Sequence, residues 1–377
     1  MKPFAIPLSR PDLSERELEA AARSVREGWL SWRAPWVRGF EERFAALCEV
    51  PHAVAVSSGT AALHATLLAL GIQAGDEVLV PAFTFVAVPA AVRHAGATPV
   101  FVDSEPDTWC IDPALVEGAI TPRTRGVVLV HQHGYPADVD RVNAIAARHG
   151  LWVVEDCAEA HFARHRGRAV GGLCRAGVFS FFANKLISGG EGGAVTTADP
   201  ELAHQVRLRV NMGATPDAPY DFGVLGHSFR MSGLGAAVLC AQLDRLGEIR
   251  ARRAEVFTRY DARFEGAPSV QRRPPLPWAD PAPWLYSVLL PDRYRRDAAV
   301  AALRERGIEG RPFFKLLPDL APYRGAGAPT GFPCARRLAE TGLSLPTFGG
   351  LLPETIDRIA SIVDEAAAGH HLAGGHA

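Results

Sequence analysis

Four stretches of the chain set polar or reactive side chains directly after apolar, β-branched runs. Residues 54–56 lead into Ser57-Ser58-Gly59-Thr60, which opens a helical pattern. Backbone N–H groups, a hydroxyl and the helix dipole there favour an anion such as phosphate, although Ser and Thr also serve simply as helix caps. Residues 78–80 lead into Pro81-Ala82-Phe83-Thr84-Phe85, whose aromatics offer a face to a flat ring or fill a core. Residues 151–154 lead into Glu155-Asp156-Cys157-Ala158-Glu159-Ala160-His161. Acids ending an apolar strand are costly without a partner, so a cation is implied nearby. The aromatic run 178–182 ends in Ala183-Asn184-Lys185, with Gly189-Gly190-Glu191-Gly192-Gly193 close behind. A lysine in apolar surroundings loses basicity by desolvation and becomes a usable amine nucleophile. An isolated lysine would more often lie along the surface.

In parallel α/β sheets, ligands bind beyond the carboxyl ends of the strands. An anion cradle, an aromatic face, an acid and a lysine at four such ends match the requirements of pyridoxal 5′-phosphate (PLP). These are a phosphate anchor, a ring face, a partner for the pyridine nitrogen and an amine to bond the aldehyde.

The elements that must position these groups alternate. Candidate strands cover 54–56, 77–80, 98–102, 126–130, 151–155, 178–182 and 194–197, and candidate helices cover 61–70, 138–149 and 200–209, with Gly71 and Gly150 as helix stops. That is the pattern of βαβ units and a mainly parallel sheet. Residues 212–226, rich in Gly, Pro and Asp, predict a long loop, and 235–260 a helix or helix pair. A proline-dense stretch at 268–283 precedes a strand at 284–290 and helices at 296–306 and 353–368, which predicts a smaller α+β domain. The division expected is 1–245 and 246–377, with a disordered tail from about 369. His370, His371 and His376 of that tail could bind a metal, but flexible ends seldom form a fixed site.

Composition removes several classes. The 377 residues hold 48% hydrophobic and 21% charged side chains, an ordinary globular balance, and at ~150 residues per domain suggest two domains. Forty Lys+Arg against 41 Asp+Glu give a net charge of -1, so no global positive field exists for nucleic acid or an anionic membrane. Residues 51–75 carry no charge, but Ser57, Ser58, Gly59, Thr60, His64 and Thr66 interrupt the run and argue against a membrane span. The N-terminus lacks the apolar region and cleavage site of a signal peptide, so a cytoplasmic location is expected. Six scattered cysteines (Cys48, Cys110, Cys157, Cys174, Cys240, Cys334) without a CxxC pair predict reduced thiols. His131 and His133, or Cys157 and His161, suggest no third metal ligand by spacing, so no metal site is expected. Gly233-Leu234-Gly235-Ala236-Ala237-Val238 partly imitates a dinucleotide loop but follows no strand, and neither GxxxxGK[ST] nor GxSxG occurs.

At this point the sequence resembles the DegT/DnrJ/EryC1/StrS sugar aminotransferases. The resemblance runs from about Ile6 to Ile362, on GWLSWRAPWVRGFEERFA, VSSGTAALHATLLALGI, GDEVLVPAFTFVA, AGATPVFVD, ITPRTRGVVLVHQHGYPADVD, VVEDCAEAH, VFSFFANKLISGGEGGAVTT and GHSFRMSGLGAAVLCAQLDRL. It implies a PLP-dependent transferase fold of the aspartate aminotransferase type (fold type I), with a mainly parallel seven-stranded sheet in the large domain and a small C-terminal α+β domain. It further implies Lys185 as the amine bonded to the cofactor, Asp156 on the pyridine nitrogen, Ser58, Gly59, Thr60 and Ser180 on the phosphate, Phe85 on the ring face and Glu159 near the ring hydroxyl.

In that family each site borrows residues from a second subunit, typically the asparagine of a GYNYRM segment; this chain reads Gly226-His227-Ser228-Phe229-Arg230-Met231, with Ser228 in its place. ANKLISGGEGG and Arg311-Pro312-Phe313-Phe314 are similar to the GDP-perosamine synthase subgroup, though Leu316-Leu317-Pro318 stands where that subgroup has Pro-Leu-His. The substrate contacts implied are Trp32, which replaces a small residue, His131, Arg230, Arg311 and Phe313. The activity implied is amino transfer from an amino acid, L-glutamate, to a nucleotide-linked 4-keto-6-deoxyhexose, in a homodimer that passes through pyridoxamine 5′-phosphate. A 3-keto sugar or keto-cyclitol acceptor is the alternative. Dehydratase members carry histidine in place of the lysine, and Lys185 with Asp156 argues against both that activity and a non-catalytic member.

Overall fold

The computed structural model describes residues 4–215, 220–324 and 331–369. The histidines of the C-terminal tail lie outside them. Seven strands form the main sheet: β1 (His52–Val56), β2 (Glu77–Pro81), β3 (Thr98–Val102), β4 (Thr124–Val130), β5 (Trp152–Asp156), β6 (Ala176–Ser180) and β7 (Gly193–Thr197). Their spatial order is β1-β7-β6-β5-β4-β2-β3. From β6 to β3 every pair is parallel, and β7 runs against both of its neighbours. The strands are apolar and buried almost throughout, as a sheet covered on both faces requires.

The cover comes from helices α2 (Pro35–Leu47), α3 (Gly59–Ala69), α4 (Ala87–His94), α5 (Val139–Arg148), α6 (Pro200–Val210) and α7 (Gly233–Asp244), with α1 (Glu15–Arg26) packed on α7. A long α8 (Leu246–Phe264) then leads to a second apolar core. There Val256, Tyr260 and Phe264 meet α9 (Arg293–Glu305), α11 (Pro353–Ala368) and an antiparallel sheet of β8 (Tyr286–Leu289), β9 (Arg311–Pro312) and β10 (Gly342–Leu345), ordered β8-β10-β9. Between them α10 (Pro333–Thr341) has no capping side chain of its own. Asp103, just after β3, accepts from Cys334 and Ala335 N–H at 3.1 and 2.8 Å and satisfies that helix start from a distant segment. No helix among the described residues is long and apolar enough to cross a membrane.

All seven sheet strands fall where the alternation predicts them, with two shifts that matter. Asp156 is the last residue of β5 and pairs with Val178, and β6 ends at Ser180, so Phe181 and Phe182 have left the regular ladder. The segment 235–260 is a helix pair. Arg245 breaks it because its side chain is drawn into a buried cluster, donating to Glu17 at 2.9 Å and Asp12 at 2.9 Å while bonding Glu248 on its own helix. Each of Arg245, Asp12 and Glu17 keeps no more than 5% of its side chain exposed, and the cluster ties the N-terminal segment to α7 and α8. Removing one member of a buried ion cluster leaves charge uncompensated. Arg245→Ala is expected to lower stability by about 3 kcal/mol in urea unfolding; a loss below about 1 kcal/mol, the range of exposed ion pairs, contradicts that role.

Candidate active site

The carboxyl ends of β1, β4, β5 and β6 open onto a cavity of about 340 Å³, within the range of small-molecule pockets. One wall is the start of α3. The Ser58 hydroxyl accepts from Ala61 N–H at 3.1 Å, and the first-turn N–H groups beyond it have no intrahelical partner. Gly59 is required by a close approach: a Cβ there would stand 2.7 Å from Ser180 Cβ. Ser58, Gly59, Thr60 and Ser180 thus line one polar corner, the place at which a helix start takes an anion.

The floor is ionisable. Asp156 Oδ1 accepts from Ala158 N–H at 2.9 Å, and no donor among the described residues reaches its second oxygen. Burial raises its pKa, against the Ala158 N–H and the nearby Lys185 and His131. Glu159 Oε2 accepts from His133 N–H at 2.8 Å. Burial pushes this carboxyl up to about 7, with Lys185 and the His133 N–H opposing. Lys185 sits beyond β6, its backbone N–H donating to Phe182 at 2.9 Å. Burial lowers its basicity and the Glu159 and Asp156 carboxylates partly restore it. Phe85 is half-exposed at the cavity lip beside Phe314, ring centroids 5.5 Å apart, and Arg311 and Phe313 form the wall supplied by β9 and the residues after it.

Four expected residues are elsewhere. His131 does not line the cavity; it is fully buried, with Nε2 3.1 Å from Glu155 Oε2 and Nδ1 accepting from Ala137 N–H at 3.0 Å. The reason is Glu155, whose carboxylate also collects the N–H groups of Gly171, Leu173 and Cys174, so His131 completes an internal polar network. Cys157 joins His131 and Glu155 within 4.8 Å, a grouping that sequence spacing does not suggest. Both imidazole nitrogens are already engaged, which leaves no lone pair for a metal. Trp32 and Arg230 line a larger concavity of about 780 Å³, without a lysine or cysteine in its walls. Arg230 stacks 5.5 Å over the Trp32 ring and donates to Ser228 Oγ at 3.0 Å. Within one chain, therefore, Trp32, Ser228 and Arg230 do not reach the Lys185 cavity.

The cavity also holds residues that sequence reasoning missed: Trp284, Asn184, His133, Ser344 and Phe314. The doubled aromatic at 313–314 was a usable signal for Phe314. Trp284 had none, since it approaches Lys185 from about a hundred positions along the chain.

A family model described as the DegT/DnrJ/EryC1/StrS aminotransferase family matches residues 11–364. The chain belongs to that family. It is 37% identical over 363 residues to a GDP-perosamine synthase of Caulobacter vibrioides, covering 96% of this chain and 98% of that one. It is 40% identical to a dTDP-3-amino-3,4,6-trideoxy-alpha-D-glucose transaminase of Streptomyces venezuelae, over 88% of this chain and 86% of that one. Among solved structures it is similar to Spr1654 of Streptococcus pneumoniae, solved in PMP and PLP forms, with a TM-score of 0.91, 28% identity and coverage of 96% of this chain and 98% of that one. The resemblance drawn from motifs is borne out, together with the fold class and the aminotransferase activity it implies.

Glu159 gives a pH prediction. An ordinary glutamate releases its proton near 4.5, whereas in the fold Glu159 does so at about 7. Between these values the folded chain holds the extra proton, so the stability linked to this group is present at low pH and lost as pH rises through about 7. Glu159→Gln removes that loss. The melting temperature of the variant relative to wild type is expected to rise between about pH 5 and about pH 8, and a constant or falling difference contradicts the assignment.

Proposed function

We propose that the protein transfers an amino group from an amino-acid donor, L-glutamate, to a nucleotide-linked 4-keto-6-deoxyhexose, with PLP and its pyridoxamine form as cofactor. The observation that carries this reading is that one cavity contains the Lys185 amine, the Asp156 carboxylate with an unclaimed oxygen, and the start of α3 with its glycine against Ser180. The residues fit the group. Ser58, Gly59, Thr60 and Ser180 would hold the phosphate, Phe85 would cover the ring, Asp156 would bind the pyridine nitrogen and Glu159 would lie near the ring hydroxyl. When bound, PLP supplies an aldehyde carbon and an electron-accepting ring.

Each residue's part follows from its surroundings. Lys185, made less basic by burial, moves a proton at the carbon bearing the amino group, taking it in one half-reaction and returning it in the other. Asp156 is desolvated and lacks a second donor, so a charged N–H is the partner that offsets its burial. Arg311 and Phe313, which line the same cavity, orient the acceptor: a guanidinium suits a diphosphate, and an aromatic face suits a deoxysugar ring. A 3-keto acceptor is the second reading, favoured by the 3-amino sugar in the name of the Streptomyces venezuelae transaminase.

The expected experiment loads the enzyme with pyridoxamine 5′-phosphate and follows its absorbance against GDP-, dTDP- and UDP-linked 4-keto and 3-keto sugars and a keto-cyclitol. A GDP-linked 4-keto-6-deoxyhexose should react fastest, and Lys185→Ala should lose at least about a thousandfold in rate. Fastest reaction with a 3-keto sugar or the cyclitol overturns the acceptor, and an active Lys185→Ala enzyme overturns the mechanism.

The working unit proposed is a homodimer in which Trp32, Ser228 and Arg230 serve the partner's cavity. Exposed Trp29, Leu30, Phe222 and Leu225 on neighbouring segments support it, since such apolar exposure marks interaction surfaces. Light scattering should give twice the chain mass for the active species; full activity in a monomer contradicts shared sites.

A further inference from the structure

Lys185 Nζ lies 4.1 Å from the centroid of the Trp284 indole. That is well inside the distance at which an ammonium is held by an aromatic face, and the indole is the strongest of the aromatic faces. The contact is built. Trp284 is 4% exposed, and its Nε1–H donates to the Asn184 carbonyl at 3.0 Å, one residue before the lysine. Arg253 of α8 is fully buried and grips both sides: Nη1–H donates to the Trp284 carbonyl at 3.0 Å and Nη2–H to the Lys185 carbonyl at 3.2 Å. The same Nη2 reaches Ser9 Oγ at 3.4 Å, so the N-terminal segment closes the cluster.

A buried guanidinium without a hydrogen-bonded carboxylate is an expensive way to hold two carbonyls. Burial lowers the Arg253 pKa to about 10, and Asp12 is the one charge that works against it. Packing alone does not call for that arrangement; holding an aromatic face square to an amine does.

We propose that the Trp284 indole is the resting face of the Lys185 ammonium whenever that amine is not bonded to another group, and that Arg253 is the positioning residue that keeps the two together. Trp284 touches the reacting nitrogen and belongs to the catalytic apparatus. Arg253 acts through it. The inference rests on Lys185 being the reacting amine, as proposed above. Trp284 favours the charged form and so opposes the desolvation that lowers Lys185, keeping a proton on the amine at the stage when it must give one back. The other ionisable groups facing Lys185 are Asp156 of β5, Glu159 and His161 in the turn after it, and His133 after β4. Of these, His133 also packs against the Trp284 indole, ring centroids 5.8 Å apart.

Lys2, Lys185 and Lys315 are the only lysines in the chain, so the full-length, unliganded protein labelled with 13Cε-lysine gives three resolvable signals, with Lys185→Arg as the assignment control. The indole should displace the Lys185 ε protons upfield of those of the exposed Lys315 in wild type, a reading that needs no variant to fold. The displacement should vanish in Trp284→Leu and persist in part in Trp284→Phe. The Lys185 pKa should fall by about one unit in Trp284→Leu and by less in Trp284→Phe. Arg253→Gln adds no lysine signal and keeps a donor but not the fork, and should lose the displacement as Trp284→Leu does. Wild-type ε protons without an upfield displacement, or an unaltered pKa in Trp284→Leu, overturns the resting face. A displacement that survives Arg253→Gln overturns the positioning role. None of these readings depends on amino transfer, so the two proposals fail separately.

Discussion

One amine and two buried carboxylates share a cavity, and the rest of the molecule can be read as the means of keeping them there. Burial penalises each charged form, lowering the pKa of Lys185 and raising those of Asp156 and Glu159. Together they partly cancel these penalties. Glu159, pushed up to about 7, is left poised to change protonation when a ligand binds. That poise depends on distances which the sheet supplies: β5 and β6 are parallel neighbours, so the acid ending one and the lysine following the other emerge at the same edge.

Asp156 and Glu155 illustrate how sharply the strand sorts chemistry. They are adjacent in β5, and successive side chains of a strand point to opposite faces. Glu155 turns away from the cavity and is saturated by three backbone N–H groups and His131. Asp156 turns toward it with one N–H and an oxygen to spare. A one-residue slip of β5 would exchange the two, which makes the pairing register between Asp156 and Val178 a determinant of where the site lies.

This sorting also explains what was legible from sequence. The seven strands were readable because each is a short apolar run between turn signals, and the groups at Ser58, Gly59, Thr60, Asp156, Ser180 and Lys185 because they sit at strand ends, a position defined locally. His131 follows a strand in the same way, and sequence cannot distinguish a histidine facing a cavity from one completing the Glu155 network. Helix α10 escaped notice because its cap is Asp103, some 230 positions away. Trp284 escaped notice for the same kind of reason, arriving from a separate core through Arg253. Trp32 and Arg230 line a separate concavity, with Ser228 hydrogen-bonded to Arg230, and local sequence does not show which cavity a side chain will line.

The scarcity of lysine around this buried amine has a consequence for chemical selectivity. Lys2, Lys185 and Lys315 are three of the chain's forty Lys and Arg side chains, and the others are guanidinium groups, which stay protonated and form no imine with an aldehyde. A carbonyl compound diffusing over the protein therefore meets very few amines, and one of them lies at the bottom of the cavity beside two carboxylates. Adducts at the wrong place are suppressed by composition before shape recognition begins, so the surface is close to inert toward the class of reagent that the interior is arranged to capture.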